Sequence, residues 1–204
     1  MNATTRAALC SSSSECWNSP SHILDSVYRV LGHVDLDPCS NMDWFWDIGL
    51  KTHNVRAELH FCERVNGLLQ RWDGTVYLNP PYGDQLLPWI TKLDYEYRAG
   101  HVTEAIVLIP GRLETEWFNI LSPHYIRCEI LTRLHFSNSK NSATFPSVLF
   151  YLGTRENRFI EEFKQYGNIV KCIAPSTYER KTRRKITGVN LTEERVNVQQ
   201  MVLL

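Results

Sequence analysis

The chain carries no net charge, with 22 basic residues balanced by 22 acidic ones. A whole-molecule electrostatic grip on an acidic partner is therefore excluded, and nucleic acid would have to be met by a local basic patch. No apolar run is long enough to cross a bilayer. No basic segment followed by an apolar stretch opens the chain, so neither a membrane span nor a signal peptide is expected. The six cysteines (Cys10, Cys16, Cys39, Cys62, Cys128, Cys172) include no C-x-x-C pair, and the seven histidines lack the i, i+4 spacing of a helical zinc site. Reduced thiols in a cytoplasm and no metal are the expectation. No repeat of fixed period and no linker divide the chain. Its 204 residues, 43% apolar and 22% charged, suit one folded domain with a good core.

What is present centres on Val76-Tyr77-Leu78-Asn79-Pro80-Pro81-Tyr82-Gly83. Val76 to Leu78 read as a short buried strand. Pro80 pushes Asn79 out of the helical region, and the two prolines fix φ and donate no hydrogen bonds. The chain thus leaves the strand stiff and extended, with the Asn79 amide and the Pro80 carbonyl held as acceptors and a flat ring, Tyr82, at the same rim. An exocyclic amine on a nucleobase is a poor nucleophile because its lone pair is delocalised. Two acceptors can bind its N–H groups and localise that pair, while an aromatic ring stacks on the extruded base. Placement and polarisation then suffice if the electrophile is an activated methyl.

Around this stretch the chain alternates helix and strand. Residues 1–14 read as a disordered tail and 15–175 as the folded domain; 176–204 form a basic tail with Arg180, Lys181, Arg183, Arg184 and Lys185 nearly consecutive. Trp17-Asn18-Ser19-Pro20 predicts a helix start, with Ser19 as N-cap and Pro20 at the first position. Ile23, Leu24, Val27, Val30 and Leu31 supply its apolar stripe and Gly32 its end. Leu36-Asp37-Pro38 is strand-like, which would set Asp37 at the carboxyl end of a strand, where open α/β sheets bind ligands. Trp44, Phe45 and Trp46 read as core. A helix is expected after Gly83, its regular part delayed by Pro88. Residues 105–110 suit a strand covered on both faces. A short helix (114–121), one or two strands (125–136), a strand (148–152), a helix (155–166) and a last strand (169–173) follow. The alternation predicts an α/β fold with a mainly parallel sheet and helices on both faces.

In their order, these landmarks resemble the phage-type DNA N-6-adenine-methyltransferase (Dam) family over roughly residues 15–153. Trp17-x-Ser19-Pro20 is similar to its N-terminal W-x-T-P element, and Leu36-Asp37-Pro38-Cys39 to its cofactor motif. Asn66-Gly67-Leu68, Trp72 and Asn79-Pro80-Pro81-Tyr82 are similar to its D-G-L, W and NPPY series. Ile109-Pro110-Gly111-Arg112, Trp117-Phe118 and Phe145-Pro146-Ser147-Val148 are similar to its later landmarks. The resemblance implies a Rossmann-like methyltransferase fold using S-adenosylmethionine, with Asn79, Pro80, Pro81 and Tyr82 as the catalytic motif. It places Trp17, Ser19, Pro20, Asp37, Pro38 and Asn66 around the cofactor. Two departures stand out: Ser40-Asn41 replaces a glycine-rich turn, and Asn66 stands where the family tends to carry an acid. Weakened cofactor binding is the implied consequence, and Asn66→Asp is expected to raise cofactor affinity in calorimetry.

The implied activity is methylation of adenine N6 in double-stranded DNA, without metal or membrane, by a monomer or a homodimer of phage or prophage type. Two alternatives stay open on the residues: the same four-residue motif serves methyltransferases of RNA bases and of protein glutamine, and a silent DNA-binding relative could keep the fold. Residues 137–144 and the basic tail are candidates for contact with DNA.

Overall fold

A computed structural model describes residues 17–40, 54–136 and 141–177. The N-terminal tail, the Trp44–Trp46 run, Asn41 and the basic stretch from Arg180 to Lys185 lie outside the described residues.

Helix α1 (Ser21–Leu31) buries its whole predicted stripe, Ile23, Leu24, Val27, Val30 and Leu31. Gly32, at φ 84°, closes it by donating its N–H to the Tyr28 carbonyl at 2.8 Å. The start departs from expectation. Ser19 caps nothing; Pro20 is the N-cap, and its carbonyl accepts the N–H groups of Ile23 and Leu24. The Ser19 hydroxyl instead turns inward to Tyr77 and Asn79. Helix N–H groups at an exposed end have water as a partner, whereas an interior phenol and amide do not.

The strands are β1 (Leu36–Asp37), β2 (Leu59–His60), β3 (Gly74–Leu78), β4 (Val102–Pro110), β5 (Ile126–Ile130), β6 (Ser147–Leu152) and β7 (Gly167–Val170). They form one sheet in the order β2-β1-β3-β4-β6-β5-β7. The four from β2 to β4 pair in parallel, while β6, β5 and β7 join by antiparallel pairing. The predicted mainly parallel sheet therefore corresponds to one half only. The cause is the connection from β5 to β6: residues 131–146 contain no crossover helix among the described residues, and a strand that returns directly runs antiparallel.

Three further helices are α2 (Leu86–Arg98), α3 (Glu116–Leu121) and α4 (Glu156–Phe163). Pro88 does not delay α2; it sits in the first turn, where its missing N–H has no helical partner to lose. Strands β3, β4 and β6 are buried at nearly every successive position, which requires cover on both faces. α1 packs with α4, joined by an ion pair between Arg29 and Glu162 at 2.7 Å. α2 packs with α3, and the Tyr125 hydroxyl beyond α3 donates to Asp94 at 2.7 Å.

The arrangement creates one special place. From β1 the chain moves outward to β2, and from β3 it moves the other way to β4. Between β1 and β3 the strand order therefore reverses, and their carboxyl ends border the crevice where open α/β sheets take ligands.

Candidate active site

Leu36 of β1 pairs with Val76 of β3, so Asp37-Pro38-Cys39 and Leu78-Asn79-Pro80 leave the sheet side by side. In each segment a proline ends the strand and sends the chain over the crevice. The Cys39 thiol donates to the Asn79 backbone carbonyl at 3.2 Å, tying the two exits together. Residues 17–19 cross in front. The Asn79 amide nitrogen donates to the Trp17 carbonyl at 2.5 Å and to the Ser19 hydroxyl at 3.0 Å. Ser19 also shares a 2.7 Å hydrogen bond with the buried Tyr77 phenol, and its carbonyl accepts from Asn54 at 3.0 Å.

These bonds fix which way the amide points. The Trp17 carbonyl is an acceptor only, so the Asn79 nitrogen must face it and the amide oxygen must face away. That oxygen accepts from the Tyr82 hydroxyl at 3.1 Å. Burial raises the Tyr82 and Tyr77 phenols, so both remain protonated. An amide oxygen has two lone pairs, so Asn79 can accept a second N–H without losing Tyr82. The Pro80 carbonyl accepts no hydrogen bond among the described residues.

A narrow cleft opens between these segments. Of the predicted residues, Trp17, Ser19, Asp37 and Asn79 line it. Asn18, Cys39, Ser40, Asn54 and Val55 complete the lining. Asp37 is only 5% exposed, and burial, partly offset by the Cys39 N–H it accepts at 3.3 Å, pushes its carboxyl up to about 7. No cation pairs with it among the described residues. A buried carboxylate that faces a cleft without a cation has the chemistry to accept a cationic or hydroxyl-bearing group.

The remaining predicted residues stand behind the lining. Pro38 is backed by Gly67, where a side-chain carbon would lie 2.0 Å from the Pro38 carbonyl. Asn66 adopts a left-handed φ of 51°, and its side-chain oxygen accepts the Leu68 N–H at 3.2 Å. Trp72, fully buried, donates to the Gly67 carbonyl at 2.8 Å. Asn66, Gly67 and Trp72 thus form a buttress under the Asp37-Pro38 turn, and Asn66 does not reach the cleft lining. Pro20, Pro80 and Pro81 shape the backbone around it. Tyr82 is only 6% exposed; Phe136 and Phe145 meet its ring edge-on at 6.3 and 5.4 Å, and Phe136 also lies 5.2 Å from Trp17.

Sequence reasoning missed Asn54, Phe136 and the polar role of Tyr77. Asn54 lies in a stretch without periodicity, and Tyr77 reads simply as an apolar strand residue. Phe136 had no local signal, because its role comes from a chain reversal two strands away. Among the described residues no helix is long and apolar enough to cross a membrane, and no three His, Cys, Asp or Glu side chains are grouped to hold a metal ion.

The cleft thus lies at the switch point of an α/β sheet, where such sheets take ligands, and is bordered by a buried carboxylate and the oriented Asn79 amide. Residues 6–151 match the family model described as DNA N-6-adenine-methyltransferase (Dam), a span that holds every site residue above. No curated protein matches the chain. The chain belongs to the DNA N-6-adenine-methyltransferase (Dam) family. It is accordingly a DNA methyltransferase, with DNA as its substrate.

Proposed function

We propose that the protein transfers a methyl group from S-adenosylmethionine to the N6 amine of an adenine turned out of double-stranded DNA. The observation that carries this reading is the Asn79 amide. Its nitrogen is spent on Trp17 and Ser19, leaving an oriented oxygen, and the Pro80 carbonyl next along the chain accepts no hydrogen bond among the described residues. Two adjacent acceptors match the two N–H groups of one exocyclic amine.

The fold is read as Rossmann-like, a reading supported by the strand reversal between β1 and β3 and by helical cover on both faces. The cofactor is assigned to the cleft beside Asn79, at the strand reversal where open α/β sheets take ligands. Asp37 would hold a cationic or hydroxylated part of it, with Trp17, Ser19, Pro20 and Pro38 forming the walls and Asn66 acting through the turn it braces. When bound, the cofactor supplies an activated methyl group on a sulfonium. Asn79 and the Pro80 carbonyl bind the adenine amine, concentrate its lone pair on nitrogen and aim it. As the N–C bond forms, the bond from the methyl to sulfur would break and leave a neutral thioether, and the N6 nitrogen gives up one proton to solvent. Pro81 keeps the turn rigid, and the Tyr82 ring stacks on the base after the Phe136 and Phe145 edges part.

The Tyr82 hydroxyl has a separable part, since it holds the Asn79 oxygen. Tyr82→Phe keeps the ring and is expected to lower turnover by about threefold to tenfold, the worth of one neutral hydrogen bond. Single-turnover kinetics on saturating DNA would check this, and an unchanged rate would remove the orienting role. The reading as a whole is tested by offering labelled cofactor with matched DNA and RNA oligonucleotides and a glutamine peptide. Transfer to DNA alone is expected; preferential labelling of RNA or peptide would overturn it.

A further inference from the structure

Ion pairing divides the basic side chains of this protein. Every lysine among the described residues holds a carboxylate, as do five arginines: Arg29, Arg71, Arg98, Arg127 and Arg155. Arg56 lies over the Tyr28 ring, and Arg64 has contacts of its own. Arg112, Arg133 and Arg158 have no such partner among the described residues, and all three are exposed.

Two of the three sit beside the base-binding turn. Arg112 follows β4 by two residues, and the neighbouring Gly111 N–H donates to the Pro146 carbonyl at 2.8 Å. That bond places it next to Phe145, whose ring packs on Tyr82. Arg133 follows β5 by three residues on the path to Phe136, the other ring on Tyr82. β4 and β5 run the same way with β6 between them, so their ends lie about 10 Å apart at the edge of the sheet that carries Asn79. Leu113 (64% exposed) and Leu131 (72% exposed) accompany the two arginines. Arg158 is elsewhere: α4 follows β6, whose last residue Leu152 pairs with Ala105 near the start of β4, at the opposite edge.

Unneutralised arginines on the β4–β5 side of an adenine site have an evident occupant in a DNA methyltransferase. We infer that Arg112 and Arg133 bind backbone phosphates of the DNA where it runs from the target adenine across the ends of β4 and β5. Leu113 and Leu131 lie against the neighbouring bases, as apolar side chains do at unstacked steps. This rim rests on the proposed base site at Asn79 and names the surface that brings DNA to it. The arginines position the strand and carry no sequence information themselves.

The test is binding of fluorescent double-stranded DNA to the full chain across a series of salt concentrations. Each lost phosphate contact lessens the slope of log K against log salt by about 0.9. Arg112→Ala with Arg133→Ala is expected to flatten the slope by about 2, raise the DNA KM and leave cofactor affinity unchanged. The double lysine variant is expected to retain the slope, and Arg158→Ala to match the parent protein. Both arginines are exposed, so the variants should fold, which their melting curves verify. A parent protein that methylates DNA while the double alanine variant keeps its slope would overturn the rim alone. A parent protein that binds no DNA would overturn the rim and the proposed function together.

Discussion

Asn79→Ala is expected to lower methyl transfer by about 10²–10³-fold, the usual cost of removing one pre-oriented polar group from a reacting centre. The loss should fall on kcat, because in the proposed mechanism the amide oxygen acts on the amine as its lone pair becomes reactive. Cofactor affinity should change less, although not by zero. The same side chain lines the cleft and satisfies the Trp17 carbonyl and the Ser19 hydroxyl. Asn79→Asp separates the two duties: it keeps an oxygen acceptor and loses the donor toward Trp17. It should therefore retain more turnover than the alanine variant while melting lower than the parent. Calorimetric titration of the cofactor, set against single-turnover rates, would resolve the two effects. An alanine variant with undiminished turnover would show that another group holds the amine.

Asp37→Asn should move stability and binding in opposite directions. The Asp37 carboxyl has an ordinary value of 3.8 when unfolded and is pushed up to about 7 by burial. The folded state thus favours the protonated form. The stability this contributes is fully present below about pH 4 and lost as pH rises through 7. An amide mimics the protonated carboxyl and can still accept the Cys39 N–H. The ligand-free variant is therefore expected to match the parent near pH 4 and to exceed it above pH 7, by on the order of 1–4 kcal/mol. Cofactor affinity should fall by roughly 10–100-fold, the value of one charge-assisted hydrogen bond. Denaturant melts from pH 4 to 8 and calorimetry at pH 8 measure the two sides. A pH-independent difference in stability would contradict the buried, uncompensated carboxylate.

The places where sequence reading succeeded share a physical character. The α1 stripe and the Asn79-Pro80 turn are local: their side-chain spacing and fixed φ act within a few residues. The position of Asp37 at the end of β1 was also legible, since a proline stops the strand there. Three features were not local. Ser19 is an ideal helix cap by type, yet the needs of Tyr77 and Asn79, some 60 residues away, outweigh the cap. The antiparallel half of the sheet depends on how residues 131–146 return, which no periodicity reports. The burial of Tyr82 under Phe136 and Phe145 likewise requires the tertiary path of that return. Asn66 shows the same limit from the other side. It occupies a family landmark, yet its oxygen serves the backbone of Leu68.

The most direct measurement is the chemical identity of the product. Unmethylated double-stranded DNA would be incubated with the protein and labelled S-adenosylmethionine, then digested to nucleosides and resolved. The account predicts label in N6-methyl-2′-deoxyadenosine, with that peak lost in Asn79→Ala. Label in methylated cytosine, or an N6-methyl peak that survives the loss of Asn79, would contradict it.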